Sequence, residues 1–274
     1  VGTGAGSAAV SRLFCNGEPV ADSALAAPAL VNYGHFTSLR CVDGAVRGLD
    51  LHLQRLEEGT QVLFGAGLAP ARIRAGLRQA FEALGQRDAW LRASVFARDF
   101  DFAAPLRPVA PDLLVSATPA SDWAGPPLRV QPVRYQRHRP ELKHAGTFAL
   151  FDLRRQAMAG GWDDALFIDG SGQLVEGTTW NLGLWSGEGV TWPAGPALRG
   201  TQERLLQQGL AAIGARQQVR PVQAGELGRF QGAFACNARG IRAIGAIGGH
   251  GFDAGEPWRA VLAQALESQP WQPL

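Results

Sequence analysis

Two spacings of apolar residues run through this chain. Some stretches alternate apolar and polar, the mark of half-buried strands. Others repeat apolar residues every three to four positions, the mark of amphipathic helices. Residues 12–20 read as a strand, a turn at Asn16-Gly17 and a second short strand. An Ala- and Pro-rich loop follows. Residues 36–42 and 45–49 then read as two strands joined at Asp43-Gly44, a hairpin turn signal. Asp50 is a suitable N-cap for a helix whose apolar side is Leu53, Leu56, Val62, Leu63 and Phe64. Pro70 opens a second helix carrying Ile73, Leu77, Phe81 and Leu84, and Gly85 ends it. Residues 90–97 and 113–117 are strands, so the first part of the chain is an α+β unit.

Residues 118–127, with Pro119, Pro126, Pro127, Gly125 and Ser121, read as a linker. The spacing then predicts strands at 128–134, 165–169, 173–175, 179–185, 189–192, 230–236 and 241–247, and helices at 147–160, 201–213 and 258–266. Trp162-Asp163-Asp164 and Asp169-Gly170-Ser171-Gly172 read as turns. The expected domains are therefore 11–117, α+β, and 128–270, β-rich with helices interleaved. Val1 to Val10 reads as a loose Gly- and Ala-rich tail without the layout of a signal peptide.

Composition narrows the function classes. With 46% hydrophobic and 18% charged residues, the 274-residue chain has the make-up of a globular protein. A formal net charge of +2, with arginines dispersed, argues against a nucleic-acid partner. No apolar run is long enough to span a membrane. Cys15, Cys41 and Cys236 lack metal-ligand or disulfide spacing, and read as buried thiols of a reducing cytoplasm.

The distribution of cations is unusual. Lys143, in Glu141-Leu142-Lys143-His144-Ala145-Gly146, is the single lysine among 26 basic Lys and Arg residues. Arginine stays charged and cannot act as an amine nucleophile, whereas lysine can lose its proton and form a Schiff base. One lysine left by codon bias and one retained for its amine are both compatible with the count alone. The surrounding order of motifs is more specific. Lys143 is followed by Asp164-Ala165-Leu166-Phe167-Ile168-Asp169-Gly170-Ser171-Gly172, then by Val175-Glu176-Gly177-Thr178-Thr179-Trp180-Asn181.

This order resembles the class IV aminotransferases. These are the fold-type IV enzymes of pyridoxal 5'-phosphate (PLP), among them branched-chain and D-amino acid aminotransferases and aminodeoxychorismate lyase. The resemblance implies an α+β, two-domain fold: a small N-terminal α/β sandwich and a larger, β-rich pseudo-barrel. It implies that Lys143 bonds PLP as a Schiff base and that Glu176 faces the pyridine nitrogen, keeping the ring cationic. Arg55, in His52-Leu53-Gln54-Arg55-Leu56, matches the family's phosphate-binding arginine. His52 reads as a packing residue. Gly200, Thr201 and Gln202 stand at the family's phosphate turn before a helix, an anion site built from backbone N–H groups. Glu203 falls where that turn usually has Arg. Asn237 and Ala238, followed by Arg239, resemble a second phosphate loop.

Arg40, Arg92 and Arg98, on first-half strands, are candidates either for gripping a substrate carboxylate or for structural salt bridges, and Tyr33 and His35 for lining the same mouth. Phe148 stands where branched-chain transaminases have a tyrosine, and Lys143-His144 is similar to the start of the motif in the lyases. The resemblance implies transfer of an amino group between an α-amino acid and a 2-keto acid. The alternatives are pyruvate release from aminodeoxychorismate, on the way to 4-aminobenzoate, and a PLP-fold binding protein without catalysis. A cytoplasmic homodimer with small-molecule substrates, and no metal, is the expected state.

Overall fold

A computed structural model describes residues 11–121, 123–252 and 257–274. The expected tail, residues 1–10, lies outside them, as does Asp122 in the expected linker. The chain divides into two compact units. One holds the described residues up to Ser121 together with Gln272–Leu274, and the other the described residues from there to Trp271.

The first unit comprises strands β1 (Arg12–Cys15), β2 (Glu18–Pro19), β3 (His35–Val42), β4 (Ala45–Arg47), β5 (Asp88–Phe96) and β6 (Asp112–Pro119), and helices α1 (Asp22–Leu30), α2 (Leu49–Phe64) and α3 (Pro70–Leu84). Its sheet is continued beside β4 by the last strand of the chain. β3, β5 and β6 pair antiparallel, with Leu39 opposite Leu91 and Leu91 opposite Ala117. Their alternate residues bury one face. Leu39, Cys41, Leu91, Ala93, Val95, Val115 and Ala117 meet Leu49, Leu53 and Leu56 of α2 and Ile73, Leu77 and Leu84 of α3 in one core. Two buried polar pairs also fasten α2 to β3. The His52 ring Nδ1 shares a hydrogen bond with the Thr37 hydroxyl at 2.6 Å, and the His35 Nε2 with the Thr60 hydroxyl at 3.0 Å. Burial lowers the His35 pKa to about 4, so this ring packs as a neutral group.

The second unit comprises β7 (Leu128–Arg134), α4 (Phe148–Ala159), β8 (Asp164–Ile168), β9 (Leu174–Gly177), β10 (Asn181–Trp185), β11 (Val190–Pro193), α5 (Thr201–Ala212), β12 (Gln217–Arg220), a 3-10 turn (Ala224–Arg229), β13 (Gly232–Asn237), β14 (Gly240–Ile247), β15 (His250–Gly251) and α6 (Pro257–Glu267). β16 (Trp271–Pro273) closes the chain. The sheet runs β12-β11-β10-β13-β14-β7-β8-β9, and β9 also pairs with β10. That last pairing closes the strands from β10 round to β9 into a barrel and removes two edges that would otherwise be open. Leu166, Leu174, Leu182, Leu184, Ala233, Ala235 and Ile244 form one of its apolar clusters, and Trp185, Trp192, Phe234 and Trp258 another. β7 and β8 are parallel neighbours, so the chain crosses between them through α4.

The α+β class with a β-rich, barrel-like second half is therefore observed. Several local expectations differ. Residues 22–30 are helical rather than a loop. α1 includes Pro28. The N-cap of α2 is Gly48, in the left-handed conformation, and Asp50 sits in the first turn. Asp164 is not in a turn. It opens β8 and is buried, because Thr178 and Trp180 both donate to its carboxylate. β6 extends two residues further than expected, with Thr118 and Pro119 paired to Trp90 and Ala89. β12, the 3-10 turn, β15 and β16 had no clear apolar period.

α5 and α6 pack so closely that a Cβ on Gly209 would collide with the Ala265 carbonyl oxygen. Alanine is favoured over glycine in a helix by about 1 kcal/mol, but overpacking costs about 1–3 kcal/mol, and a backbone carbonyl cannot rotate aside. Gly209→Ala should therefore destabilise the protein by up to about 2 kcal/mol, read as a lower midpoint in urea with unchanged slope. A gain in stability would show that this contact is not tight.

Candidate active site

Several loops of the second unit are tied together by a small set of polar side chains. Glu176 and Asn181 stand opposite each other where β9 meets β10. The residues between them are held by Asp164, whose two carboxylate oxygens accept the Thr178 hydroxyl at 2.7 Å and the Trp180 indole N–H at 3.1 Å. Gly177 permits the turn, because a Cβ there would lie inside the Trp180 ring. Asn181 reaches the segment before α5. Its amide donates to the Leu198 carbonyl at 2.7 Å, and its carbonyl oxygen accepts the Gly200 N–H at 3.1 Å. A Cβ at Gly200 would strike that oxygen, so the residue type follows from the clasp.

Glu176 is 3% exposed. Burial raises its pKa from 4.5 to about 7, against the pull of Arg137, the Leu198 N–H, Lys143 and Arg199, in that order. The Arg137 Nε lies 3.9 Å from Glu176 Oε1, too far for a hydrogen bond, and neither atom has a hydrogen-bond partner. Arg137 is itself buried, and its Nη2 donates to the Leu142 carbonyl at 3.1 Å, beside Lys143. Lys143, half-buried, is on the loop between β7 and α4, and its charge acts on Glu176.

At the start of α5, Thr201 is buried and Gln202 half-buried. Glu203 is buried too and does not point outward in place of the expected arginine. One oxygen pairs with Arg199 at 3.0 Å and with the Gln207 amide at 3.1 Å, the other has no partner, and burial raises its pKa. Asn237 ends β13. Its amide donates to the Thr179 carbonyl at 3.2 Å, and its oxygen accepts the Arg239 N–H at 2.8 Å, which fixes the turn containing Ala238. Lys143, Glu176, the 200–202 turn and Asn237 are thus linked within the second unit. Phe148, at the start of α4, is 80% exposed.

The remaining candidates belong to the first unit. Arg55 is half-buried on α2, one turn after His52. Arg40 pairs with Asp88 through two nitrogens, the Nε bond being 2.8 Å. Arg98 lies two residues past β5 rather than on a strand, because Asp112 takes both its backbone N–H at 2.9 Å and its guanidinium at 2.8 Å. Arg92 lies 3.6 Å over the Phe36 ring and donates to the Ser94 hydroxyl at 3.1 Å. Tyr33 stacks on Phe100 at 4.4 Å and donates to the Leu63 carbonyl at 3.2 Å. His35 is buried and faces Thr60, so it does not line a mouth.

The amino-transferase class IV family model matches residues 34–247. The chain belongs to the class IV aminotransferases, a family of PLP-dependent enzymes. Similar solved structures include the branched-chain aminotransferase of Thermoproteus uzoniensis with norvaline (18% identity, 93% of each chain, TM-score 0.83). A hypothetical aminotransferase of Mycobacterium tuberculosis in its PLP-bound form is also similar (17% identity, 93% of this chain and 97% of that one, TM-score 0.79). So is a putative 4-amino-4-deoxychorismate lyase of Legionella pneumophila (19% identity, 88% of this chain and 92% of that one, TM-score 0.77). No curated protein sequence matches the chain. At these identities the solved structures establish the fold.

The residues present fit PLP. The partnerless buried oxygen of Glu176 suits a ring N–H, and the N-terminus of α5 offers backbone donors to a phosphate. Among the described residues no group of His, Cys, Asp or Glu is placed to hold a metal ion, and no helix is long and apolar enough to cross a membrane. Arg137 was missed in the sequence because it is one arginine among many, with no motif of its own. Asn181 was part of a motif, but its clasp on Gly200 depends on the loop geometry.

Because the folded-state pKa of Glu176 is raised, the folded protein holds this proton more tightly than the unfolded chain does. The associated stability is complete below about 4.5 and is lost as pH rises through about 7. The cofactor-free protein should therefore lose stability across that interval, by a few kcal/mol in order of magnitude. Glu176→Gln should flatten this dependence, as measured by thermal unfolding at several pH values. An unchanged slope would exclude a titrating Glu176.

Proposed function

We propose that this protein is an aminotransferase that moves an amino group between an α-amino acid and a 2-keto acid, with Lys143 covalently holding PLP. The observation that carries this reading is the placement of the only lysine within electrostatic reach of a buried carboxylate that has an open acceptor oxygen. When bound, PLP supplies an aldehyde for the amine and a ring that withdraws electrons from the substrate Cα.

In this reading the Lys143 Nζ would hold the cofactor and carry the proton removed from the substrate Cα. Glu176 Oε1 would accept from a protonated ring nitrogen, with Arg137 and Arg199 favouring the ionised carboxyl. The N–H groups of Thr201 and Gln202, spaced by the Asn181–Gly200 clasp, would hold phosphate, together with the backbone at Asn237 and Ala238; the same role for Arg55 rests on the family resemblance alone. Arg92 is favoured over Arg40 and Arg98 for the substrate carboxylate, since those two already pair with Asp88 and Asp112. Tyr33 flanks the substrate. Amino-acid and keto-acid substrates, a homodimer and a cytoplasmic location belong to the same reading.

A second reading, a lyase that releases pyruvate from aminodeoxychorismate, draws on the Lys143-His144 pair and on Phe148, which offers no hydroxyl. The solved relative from Legionella pneumophila is compatible with it. A non-catalytic PLP-binding protein is the remaining alternative.

PLP-loaded protein offered a panel of amino acids with a keto-acid acceptor should form the matching keto acid. Lys143→Ala should slow this by roughly 10²–10⁴-fold, the range of a lost acid–base group. Pyruvate from aminodeoxychorismate without any acceptor would select the lyase. Full turnover by Lys143→Ala would refute the mechanism, and cofactor binding without turnover of either kind would favour the binding protein.

A further inference from the structure

We propose that Arg137 is a positioning residue that clasps the Lys143 loop to the Glu176 strand and sets a buried cation beside the Glu176 carboxyl. The proposal rests on the reading of Lys143 and Glu176 given above, but its geometry is independent of any cofactor.

Arg137 is as buried as a core residue, which is rare for a guanidinium unless its groups are matched. One nitrogen, Nη2, donates to the Leu142 carbonyl, so the peptide entering Lys143 cannot swing away without leaving a buried N–H unpaired. The Nε faces Glu176 Oε1 at 3.9 Å with no partner of its own. Two segments far apart in sequence, residues 137–143 and β9, therefore share one rigid, planar cation. Lysine could supply the charge but not a rigid planar group that reaches Leu142 and faces Glu176 at once.

The same contact governs the carboxyl. Glu176 is faced by Arg137 and Lys143 from the loop after β7, by Arg199 and the Leu198 N–H from the segment before α5, and by uncharged Asn181 across the strand pair. Arg137 exerts the largest pull toward the ionised form, ahead of Lys143. When the Lys143 amine is engaged elsewhere, Arg137 still counters the burial of Glu176.

The test uses the full chain and three variants, Arg137→Met, Arg137→Lys and Glu176→Gln. The Glu176 carboxyl is titrated by carbon NMR on protein labelled at glutamate, with Glu176→Gln identifying the resonance. Arg137→Met should raise the midpoint by about one unit or more, as expected on removing an opposite charge at this range, a tenfold loss of ionised carboxyl. Arg137→Lys should return the midpoint toward that of the parent. In PLP-loaded protein, Arg137→Met should release cofactor faster, and Arg137→Lys should remain faster than the parent because the Leu142 contact is not restored. A midpoint unmoved in both variants overturns the proposal. If no form binds PLP but the midpoint moves as stated, the cofactor reading fails and the Arg137 clasp stands.

Discussion

A carboxyl group removed from water is the constraint on which the site in the second unit depends. Burial alone pushes Glu176 toward its neutral form, and the opposing pull of Arg137, the Leu198 N–H, Lys143 and Arg199 leaves its pKa at about 7. Each of these groups is brought there by a different segment. The loop after β7 brings Arg137 and Lys143, the segment before α5 brings Leu198 and Arg199, and closure of the barrel between β9 and β10 brings Glu176 beside Asn181. The carboxyl thus couples the fold to the site. Neutral, it is an ordinary buried acid, and ionised, it is a buried acceptor with one oxygen unpartnered.

Around it, the polar side chains act mainly on backbone. Asp164 collects Thr178 and Trp180, Asn181 collects Leu198 and Gly200, Asn237 collects Thr179 and Arg239, and Arg137 collects Leu142. Buried hydrogen bonds of this kind contribute about 1 kcal/mol each to stability, but leaving one partner unmatched costs more, so they specify loop shape more than they add stability. This division suits a site that must present backbone N–H groups in a fixed array. Glycines at 177 and 200 are part of the same array, since a side chain at either would occupy the space taken by Trp180 or by the Asn181 amide.

Much of this was legible in the sequence where a period or a motif carried it. The apolar stripes of α2 and α3 and the alternation in β3, β5 and β6 are strong because one face of each is fully buried. The order of Lys143, Glu176 and Asn181 pointed to the family before any geometry. The sequence was silent where the decisive contact is long-range. α1 carries almost no amphipathic pattern, so its Ala-Pro composition read as a loop. Asp164 read as a turn residue because its partners lie on a later strand. Arg40, Arg92 and Arg98 could not be ranked, because only coordinates show which carboxylate each one meets. Glu203 breaks the family's turn pattern on paper, yet folds inward against Arg199.

The central claim is that a single amine, facing Glu176, holds the cofactor. Its most direct measurement is borohydride reduction of PLP-loaded protein followed by digestion and mass spectrometry of the peptides. With Lys143 as the sole lysine, the account predicts one added phosphopyridoxyl mass, on the peptide containing Lys143. An unmodified Lys143 in protein that retains bound, spectroscopically visible PLP would contradict it.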